Sequence, residues 1–249
     1  MKTTGRVMLF YILAFVFLAI LGGAQLVLKI DFGISLIQLA PGLAALVMLV
    51  IFRKENVRLT IAVTGTQTLK YIGAVGIPLL VSGALFLSYS QFIGPLPIQP
   101  ISGIALLIFL GGTLLGAFGE ELGWRGYLQR IVEGKVNVLI ASLLVGVLWG
   151  LWHVMNYQYG PIYLLFFVLF ACACSVIMAW LLKGTDYNVV IAGLFHFAVN
   201  VGFYILLREV SSDLRLMMLM GLVWVVVAVV IIVFNRKYFL SPHKKNIMG

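Results

Sequence analysis

The amino-acid sequence predicts an all-α fold, a polytopic membrane bundle of about eight transmembrane helices with both termini in the cytoplasm. Three observations lead to this prediction. The chain is 63% hydrophobic and only 10% charged, against roughly 45–50% and roughly 25% in an ordinary soluble domain. Its apolar residues are gathered into long stretches. The basic residues between these stretches are divided unevenly between alternate loops.

Eight apolar stretches each approach the roughly 20 residues that a helix needs to cross a bilayer. In chain order they are Val7–Leu28, Ile34–Phe52, Tyr71–Phe92, Ile101–Phe118, Val138–Met155, Ile162–Leu182, Val189–Leu207 and Leu216–Phe234. The first is longer than the roughly 7–15 apolar residues of a signal peptide, so we interpret it as a retained helix. We therefore expect residues 1–249 to form a single transmembrane domain.

Two segments with proline predict turns, because proline denies the backbone its helical hydrogen bonds. Gly94–Pro100 precedes the fourth stretch, and Gly160–Pro161 precedes the sixth. Within the sixth stretch, Cys172 and Cys174 lie two residues apart and point to different faces of the helix, so we do not expect a disulfide.

The basic residues indicate the orientation of the bundle. With eight spans the two termini share a side, and fourteen of the seventeen lysines and arginines fall on that side. The other three are Lys29, Arg208 and Arg215. The positive-inside rule then predicts a multi-pass protein of the cell membrane with N- and C-termini cytoplasmic. Ser241–Gly249 is predicted to be a disordered basic tail.

The net charge of +9 does not indicate a nucleic-acid partner, since the basic residues are scattered between spans and form no single basic face. The expected partners are membrane lipid and a peptide or protein substrate.

A few ionisable and polar residues lie in or beside the apolar stretches, where their cost indicates a function. They are Glu120, Glu121 and Arg125 at the end of the fourth stretch, His153 in the fifth, and His196 and Asn200 in the seventh. Each group also has a structural interpretation, but the presence of all three in one small bundle favours a catalytic site.

The acidic pair opens the motif Glu120-Glu121-Leu-Gly-Trp-Arg125. Glu121 and Arg125 are four residues apart and can pair on a helix, which leaves Glu120 free to act. A carboxylate in a low-dielectric environment with a histidine nearby can take a proton from water. The alternative is an acid–base cluster that anchors the helix end at the membrane surface.

The histidines also allow two interpretations. His153 lies one turn after Trp149, and a lone membrane histidine is often a hydrogen-bond partner between helices. His196 and Asn200, four residues apart, share one helix face. They can donate hydrogen bonds to a single small target or clasp a neighbouring helix.

Other catalytic classes lack their motifs in this chain. There is no HExxH, no GxSxG elbow and no Gly-x-Gly-Asp. Two histidines and a glutamate can still form a zinc site with three protein ligands. We predict no cofactor and no metal, with zinc held by Glu120, His153 and His196 as the alternative.

The motifs EExxxR, aromatic-x-x-x-His and His-x-x-x-Asn follow one another on successive stretches and together resemble the CPBP family over Gly119–Gly202. This family includes the type II CAAX prenyl proteases, called glutamic intramembrane endopeptidases, and bacteriocin-processing and immunity relatives. The resemblance implies a CPBP-like catalytic core at residues 119–202. It also implies a substrate that is membrane-associated or lipidated.

The resemblance also implies roles for individual residues. Glu120 with His153 would activate the attacking water, and His196 with Asn200 would stabilise the oxyanion. The supporting residues would be Glu121 and Arg125, which orient the site, and Trp149, which stands where the family usually has phenylalanine and keeps an aromatic packing role.

The depths of these residues conflict if the fourth helix ends at its charged motif. Counting about 1.5 Å per residue places Glu120 near the cytoplasmic end, His196 roughly 10 Å inside and His153 roughly 20 Å inside. A re-entrant segment over Gly123–Lys135 would reconcile them, because irregular backbone is tolerated around a wet cavity. We therefore expect a helix that ends early and a cavity that opens toward the cytoplasm.

The predicted function is an endopeptidase that uses glutamate- and histidine-activated water. A non-catalytic immunity, chaperone or scaffold protein of the same fold is the alternative. A transporter that relays protons is a third possibility, although the chain shows no inverted repeat or pair of broken helices.

Overall fold

A computed structural model of the chain describes residues 2–30, 35–55, 57–96, 98, 101 and 103–241, and within these ranges all regular secondary structure is helical. The α-helices are α1 (Thr3–Val27), α2 (Ala40–Ile51), α3 (Thr68–Phe92), α4 (Gly103–Glu121), α5 (Arg130–Glu133), α6 (Val138–Trp152), α7 (Pro161–Leu181), α8 (Val189–Leu207), α9 (Leu214–Phe234) and α10 (Arg236–Leu240). The predicted tail lies outside the described residues from position 242 onward, as do Pro97, Gln99 and Pro100 of the first predicted turn.

Among the described residues, six helices are long and apolar enough to cross a membrane. They are Thr3–Val27, Gly65–Phe92, Gly103–Glu133, Pro161–Leu181, Val189–Val210 and Leu214–Phe234. Two further apolar helices, Leu36–Ile51 and Val138–Trp152, are shorter. The 15 residues of α6 cover about 22 Å at about 1.5 Å per residue, less than a bilayer core of roughly 30 Å. The predicted all-α membrane bundle is confirmed, and the number of complete crossings stays a prediction.

α7 lies at the centre of the bundle and packs against both α6 and α9. Of its most apolar window 61% is buried, against 11% for α1 at the periphery. Cys172 and Cys174 on this helix are buried and free, as predicted. The helix begins at Pro161, directly after Gly160, whose φ of 90° lies in the left-handed region that favours glycine. This arrangement confirms the predicted turn.

The fourth membrane helix does not end at its charged motif. It continues from α4 through a π-helix, Leu122–Gln129, into α5, so that one helix of 31 residues runs from Gly103 to Glu133. The predicted early end and the re-entrant segment over Gly123–Lys135 are therefore wrong. Glu120 lies just past the middle of this long helix, and the conflict of depths disappears.

The wide π-turns are stabilised by close packing. A Cβ atom on Gly123 would lie 2.4 Å from the carbonyl oxygen of Pro41, and one on Gly126 would lie 2.9 Å from the side chain of Leu59. All residues of this segment after Leu122 are buried. π-helices are rare and occur frequently at functional sites.

One end of the bundle, which we call the terminal face, gathers the connections that the sequence assigned to the cytoplasm. There Asp186 accepts hydrogen bonds from Thr60 (2.6 Å) and Arg130 (2.8 Å). Although burial is the largest influence and acts the other way, these hydrogen bonds hold the pKa of Asp186 below its usual value. The hydroxyl of Tyr238 in α10 donates to the carbonyl of Ala179 near the end of α7 (2.8 Å), which places the C-terminal helix at the same face.

The other end, which we call the opposite face, holds the connection between α8 and α9. The hydroxyl of Tyr163 in α7 donates to the carbonyl oxygen of Ser211 (2.7 Å). Hydrogen bonds from Arg215, and one from Tyr89, hold the pKa of Asp213 well below its usual range. The described loops thus group as the basic residues predicted, and which face lies in the cytoplasm stays a prediction.

Backbone contact between α2 and α4 sets the position of the charged motif. A Cβ atom on Gly42 would lie 2.6 Å from the carbonyl oxygen of Gly119, the residue before Glu120. We expect Gly42→Ala to lower the thermal unfolding temperature in detergent, because neither backbone can yield without strain of about 1–3 kcal/mol. Gly76→Ala in α3, where a Cβ meets nothing within 4 Å, is the matched control. An equal loss of stability in both variants would contradict this account.

Candidate active site

Glu120 is fully buried and held by donors from two other segments. Its Oε2 accepts a hydrogen bond from the indole Nε1 of Trp149 on α6 (2.8 Å). Its Oε1 accepts one from Nε2 of Gln38 (3.2 Å), in the short 3-10 helix that precedes α2. Both donors are uncharged, so they fix the orientation of the carboxylate without pairing its charge.

Glu121 lies among positively charged or chargeable groups. Its Oε1 is 2.9 Å from Nη1 of Arg125 and 2.9 Å from Nδ1 of His196. The exposed fractions of the Glu121 and Arg125 side chains are 0% and 1%, so the pair expected from their spacing lies entirely inside the protein. The sequence did not predict the contact of His196 with Glu121, which is an addition from the structure.

Trp149 connects the two parts of this cluster. Besides donating to Glu120, its ring lies 4.4 Å from the guanidinium carbon of Arg125. Its backbone carbonyl lies 2.8 Å from Nδ1 of His153. The aromatic packing role expected for Trp149 is present, and the hydrogen bond of the indole N–H to Glu120 adds to it.

Hydrogen bonds select the tautomer of each histidine. A carbonyl oxygen can only accept, so Nδ1 of His153 carries the proton that it donates to Trp149. The same holds for Nδ1 of His196 when the Glu121 carboxylate is ionised. In both neutral rings Nε2 then has a free lone pair. His153 directly follows Trp152, the last residue of α6, and its backbone is no longer helical.

A cavity of about 330 Å³ lies beside this cluster. Its polar wall is formed by Gln38, Trp149, His153, Asn156, His196 and Asn200. The remaining wall is largely aromatic and apolar, with Tyr159, Tyr163, Phe167, Phe170, Val199, Phe203, Met217 and Met220. Of the four predicted catalytic residues, three line this cavity, and the fourth, Glu120, lies directly behind Gln38 and Trp149.

The cavity extends toward the opposite face of the bundle. Its wall includes Tyr159, in the 3-10 helix that follows α6, and Ser211, in the connection between α8 and α9. The predicted opening on the side of the termini is therefore wrong. That prediction assumed that the fourth helix ends at Glu121, whereas the helix continues and fills this space with buried side chains.

The donors do not fit the alternative of a zinc site. Within the part of the chain that the structure describes, no three His, Cys, Asp or Glu side chains come together as a metal site. Both oxygens of Glu120 accept hydrogen bonds from protein donors. We therefore derive no step through a metal ion.

Gln38 is the residue of this site that sequence reasoning missed. It lies in the second apolar stretch, in a part of the chain with none of the three motifs. The signal that was present is an amide side chain inside an apolar run, which needs a hydrogen-bond partner when it is buried in a membrane protein.

The helical bundle buries two glutamates and a histidine next to one cavity, and a family comparison supports a membrane-protease kind for this arrangement. Residues 102–202 match the family model described as type II CAAX prenyl endopeptidase Rce1-like. This match confirms the family resemblance that the three motifs carried. The matched range begins before Gly119 and ends at Gly202.

Curated relatives of this chain include lysostaphin resistance protein A from three species of Staphylococcus. The chain is 28% identical to that of Staphylococcus haemolyticus over 210 residues, which are 82% of this chain and 58% of the relative. It is 28% identical to that of Staphylococcus epidermidis over 236 residues, 92% of this chain and 62% of the relative. It is 29% identical to that of Staphylococcus aureus over 199 residues, which are 77% of this chain and 47% of the relative. The chain thus spans about half to three-fifths of the length of these relatives.

Proposed function

We propose that this protein is an intramembrane endopeptidase that hydrolyses a peptide bond of a membrane-associated or lipidated peptide or protein. The proposal is supported above all by the convergence of Glu120, His153, His196 and Asn200 at one cavity among membrane helices. The match to an endopeptidase family over the same part of the chain supports it further.

The Glu120–His153 pair supplies the base. Nε2 of His153 has a free lone pair that can accept a proton from a water molecule in the cavity. Trp149 holds the Glu120 carboxylate through its indole N–H and His153 through its backbone carbonyl, and a negative charge nearby favours a protonated imidazole. The hydroxide so formed attacks the carbonyl carbon of the scissile bond, and general-base assistance of this kind contributes about 10²–10⁴-fold.

His196 and Asn200 supply the donors for the oxyanion. The side-chain amide of Asn200 donates directly, and Nε2 of His196 donates when the ring is an imidazolium beside the Glu121 carboxylate. Donors fixed in advance around a developing charge are worth about 10²–10³-fold. When the tetrahedral intermediate collapses, the C–N bond breaks and the leaving amine takes the proton from His153.

Arg125 holds the side chains of Glu121 and Trp149 in place. Its guanidinium bonds to Glu121 and stacks on Trp149, whose indole in turn holds Glu120. Neither Arg125 nor Glu121 lines the cavity. Both are therefore positioning residues in this proposal.

The test uses purified protein in detergent with candidate membrane peptides. We expect His153→Ala to lower the cleavage rate by about 10²-fold or more, because the proton acceptor is removed. Asn156→Ala, which changes another polar residue of the same cavity wall, is the matched control. Thermal unfolding of both variants shows that each is folded. Cleavage at the wild-type rate by His153→Ala would contradict the assignment of His153 as the proton acceptor.

The alternative is a non-catalytic membrane protein of the same fold that confers resistance or immunity. It is favoured by the name of the relatives, which refers to resistance to lysostaphin and to no catalytic activity. This alternative predicts that protection of cells survives Glu120→Gln and His153→Ala. The endopeptidase proposal predicts that any protection depending on cleavage is lost with both.

A further inference from the structure

We infer that the substrate enters this site from the membrane face opposite the chain termini, and that it is an apolar segment of a peptide exposed outside the cytoplasm. This inference rests on the proposed endopeptidase function and deepens it by naming the side of approach. It concerns the route to the site, which the family resemblance does not address.

The first observation is that several residues lining the cavity lie near the beginnings of α7 and α9. Tyr163 is the third residue of α7, and Met217 and Met220 lie in the first two turns of α9. Both helices begin at the opposite face, as does the connection with Ser211. From this face the wall continues inward through Phe167 and Phe170 to the histidines.

The second observation is a seal on the other side of the site. Between the cavity and the terminal face lie Trp124, Arg125 and Leu128 of the π-helix, each at most 1% exposed. Trp124 packs edge-to-face on Trp152 with ring centroids 6.0 Å apart. A buried guanidinium bonded to Glu121 and two packed indoles fill this part of the bundle.

The third observation is a second cavity at the other end of the bundle. It has a volume of about 460 Å³ and lies at the terminal face, where Gln129, Glu133 and Lys183 form part of its wall. The two cavities share no lining residue. Neither His153 nor His196 lines this second cavity.

The walls of the route select an apolar peptide. The rings of Tyr159 and Tyr163 lie 4.7 Å apart at the entrance, and phenylalanine and methionine side chains line the interior. The nearby charges are paired with each other, Arg215 with Asp213 at 2.7 Å. A wall of aromatic rings and adaptable thioethers binds apolar side chains of varied shape.

The membrane orientation that the basic residues predict indicates from which side of the membrane a substrate reaches the cavity. Fourteen of seventeen basic residues share the side of the termini, so the positive-inside rule places the opposite face outside the cytoplasm. The substrate is then an apolar stretch of a membrane-bound or translocated peptide. A lipidated protein presented only in the cytoplasm would face the sealed side.

Cysteine accessibility in cells tests this inference without requiring catalysis. In a Cys172→Ala/Cys174→Ala background, one variant carries Tyr159→Cys at the cavity entrance and a matched variant carries Lys183→Cys at the terminal face. Intact and permeabilised cells are treated with a membrane-impermeant maleimide. We expect Tyr159→Cys to be labelled in intact cells as fully as in permeabilised cells, and Lys183→Cys to be labelled only after permeabilisation.

Two outcomes would overturn the inference. Labelling of Lys183→Cys but not Tyr159→Cys in intact cells would place the entrance in the cytoplasm. Labelling of both positions from the same side would contradict the separation of the two faces.

Cleavage by the purified variants gives a second measurement. A bulky maleimide adduct on Tyr159→Cys is expected to stop cleavage relative to the same unlabelled variant, and an adduct on Lys183→Cys is not. If the Lys183→Cys adduct alone blocks cleavage, the route is wrong. If no variant cleaves any peptide while the labelling pattern holds, the proposed function fails and the accessibility of the cavity stands.

Discussion

Replacing Glu120 with glutamine is expected to lower kcat for peptide cleavage by about 10²–10⁴-fold, the range of general-base effects. Glutamine has nearly the same shape and can still accept one hydrogen bond from Trp149 or Gln38. It lacks the negative charge that stabilises a protonated His153. Because Glu120 lies behind the cavity wall, KM is expected to change little, and steady-state kinetics on the purified protein separates the two parameters.

Glu133→Gln is the matched control for this experiment. Glu133 is a buried carboxylate on the same long helix, and it accepts hydrogen bonds from Gln129 (2.6 Å) and Tyr187 (2.5 Å) at the terminal face. Its neutralisation removes a buried charge without touching the reaction cavity. Equal losses of kcat in Glu120→Gln and Glu133→Gln would show that neutralisation harms the fold and would remove the case that the Glu120 charge assists His153.

The second large effect is expected from Arg125→Met, measured as stability in detergent. The substitution leaves the fully buried Glu121 carboxylate with His196 as its remaining charge partner. Removing one member of a buried ion pair typically costs about 3–5 kcal/mol, since the other charge stays in a low-dielectric environment. A chemical unfolding titration, with SDS as denaturant, measures this loss.

Two further variants serve as controls for the stability loss in Arg125→Met. Arg215→Met breaks an ion pair in which the arginine is 65% exposed, and it should cost at most about 1 kcal/mol. Glu121→Gln/Arg125→Met removes both charges and should regain part of the stability, because no carboxylate is left unpaired. If Arg125→Met costs no more than Arg215→Met, the buried pair does not stabilise the fold.

The helical bundle was predictable because each apolar stretch is long and unbroken, and hydropathy alone identifies such helices. The end of the fourth helix was not, since Glu120, Glu121 and Arg125 together read as a membrane boundary. Inside the protein these charges stabilise one another, and glycines allow α2 to pack closely on the same segment. The helix therefore continues where its composition indicates an end.

Within the candidate site, contacts along one helix were predictable and contacts between helices were not. The fourfold spacing of Glu121 and Arg125 fixes their pairing on any helix. The hydrogen bonds of Glu120 to Gln38 and Trp149 depend on how separate helices meet, which no local pattern contains. The side on which the cavity opens depends on α6 ending at Trp152 while the fourth helix runs on to Glu133.

Trp149 contacts three residues of the cluster, each through a different part: its backbone carbonyl, its ring face and its indole N–H. Its carbonyl holds His153, its ring face holds Arg125 and its indole N–H holds Glu120. A phenylalanine at this position keeps the first two attachments and gives up only the third. Replacing Trp149 with phenylalanine therefore removes only one hydrogen bond from Glu120. An aliphatic side chain would also remove the contact of the ring with Arg125.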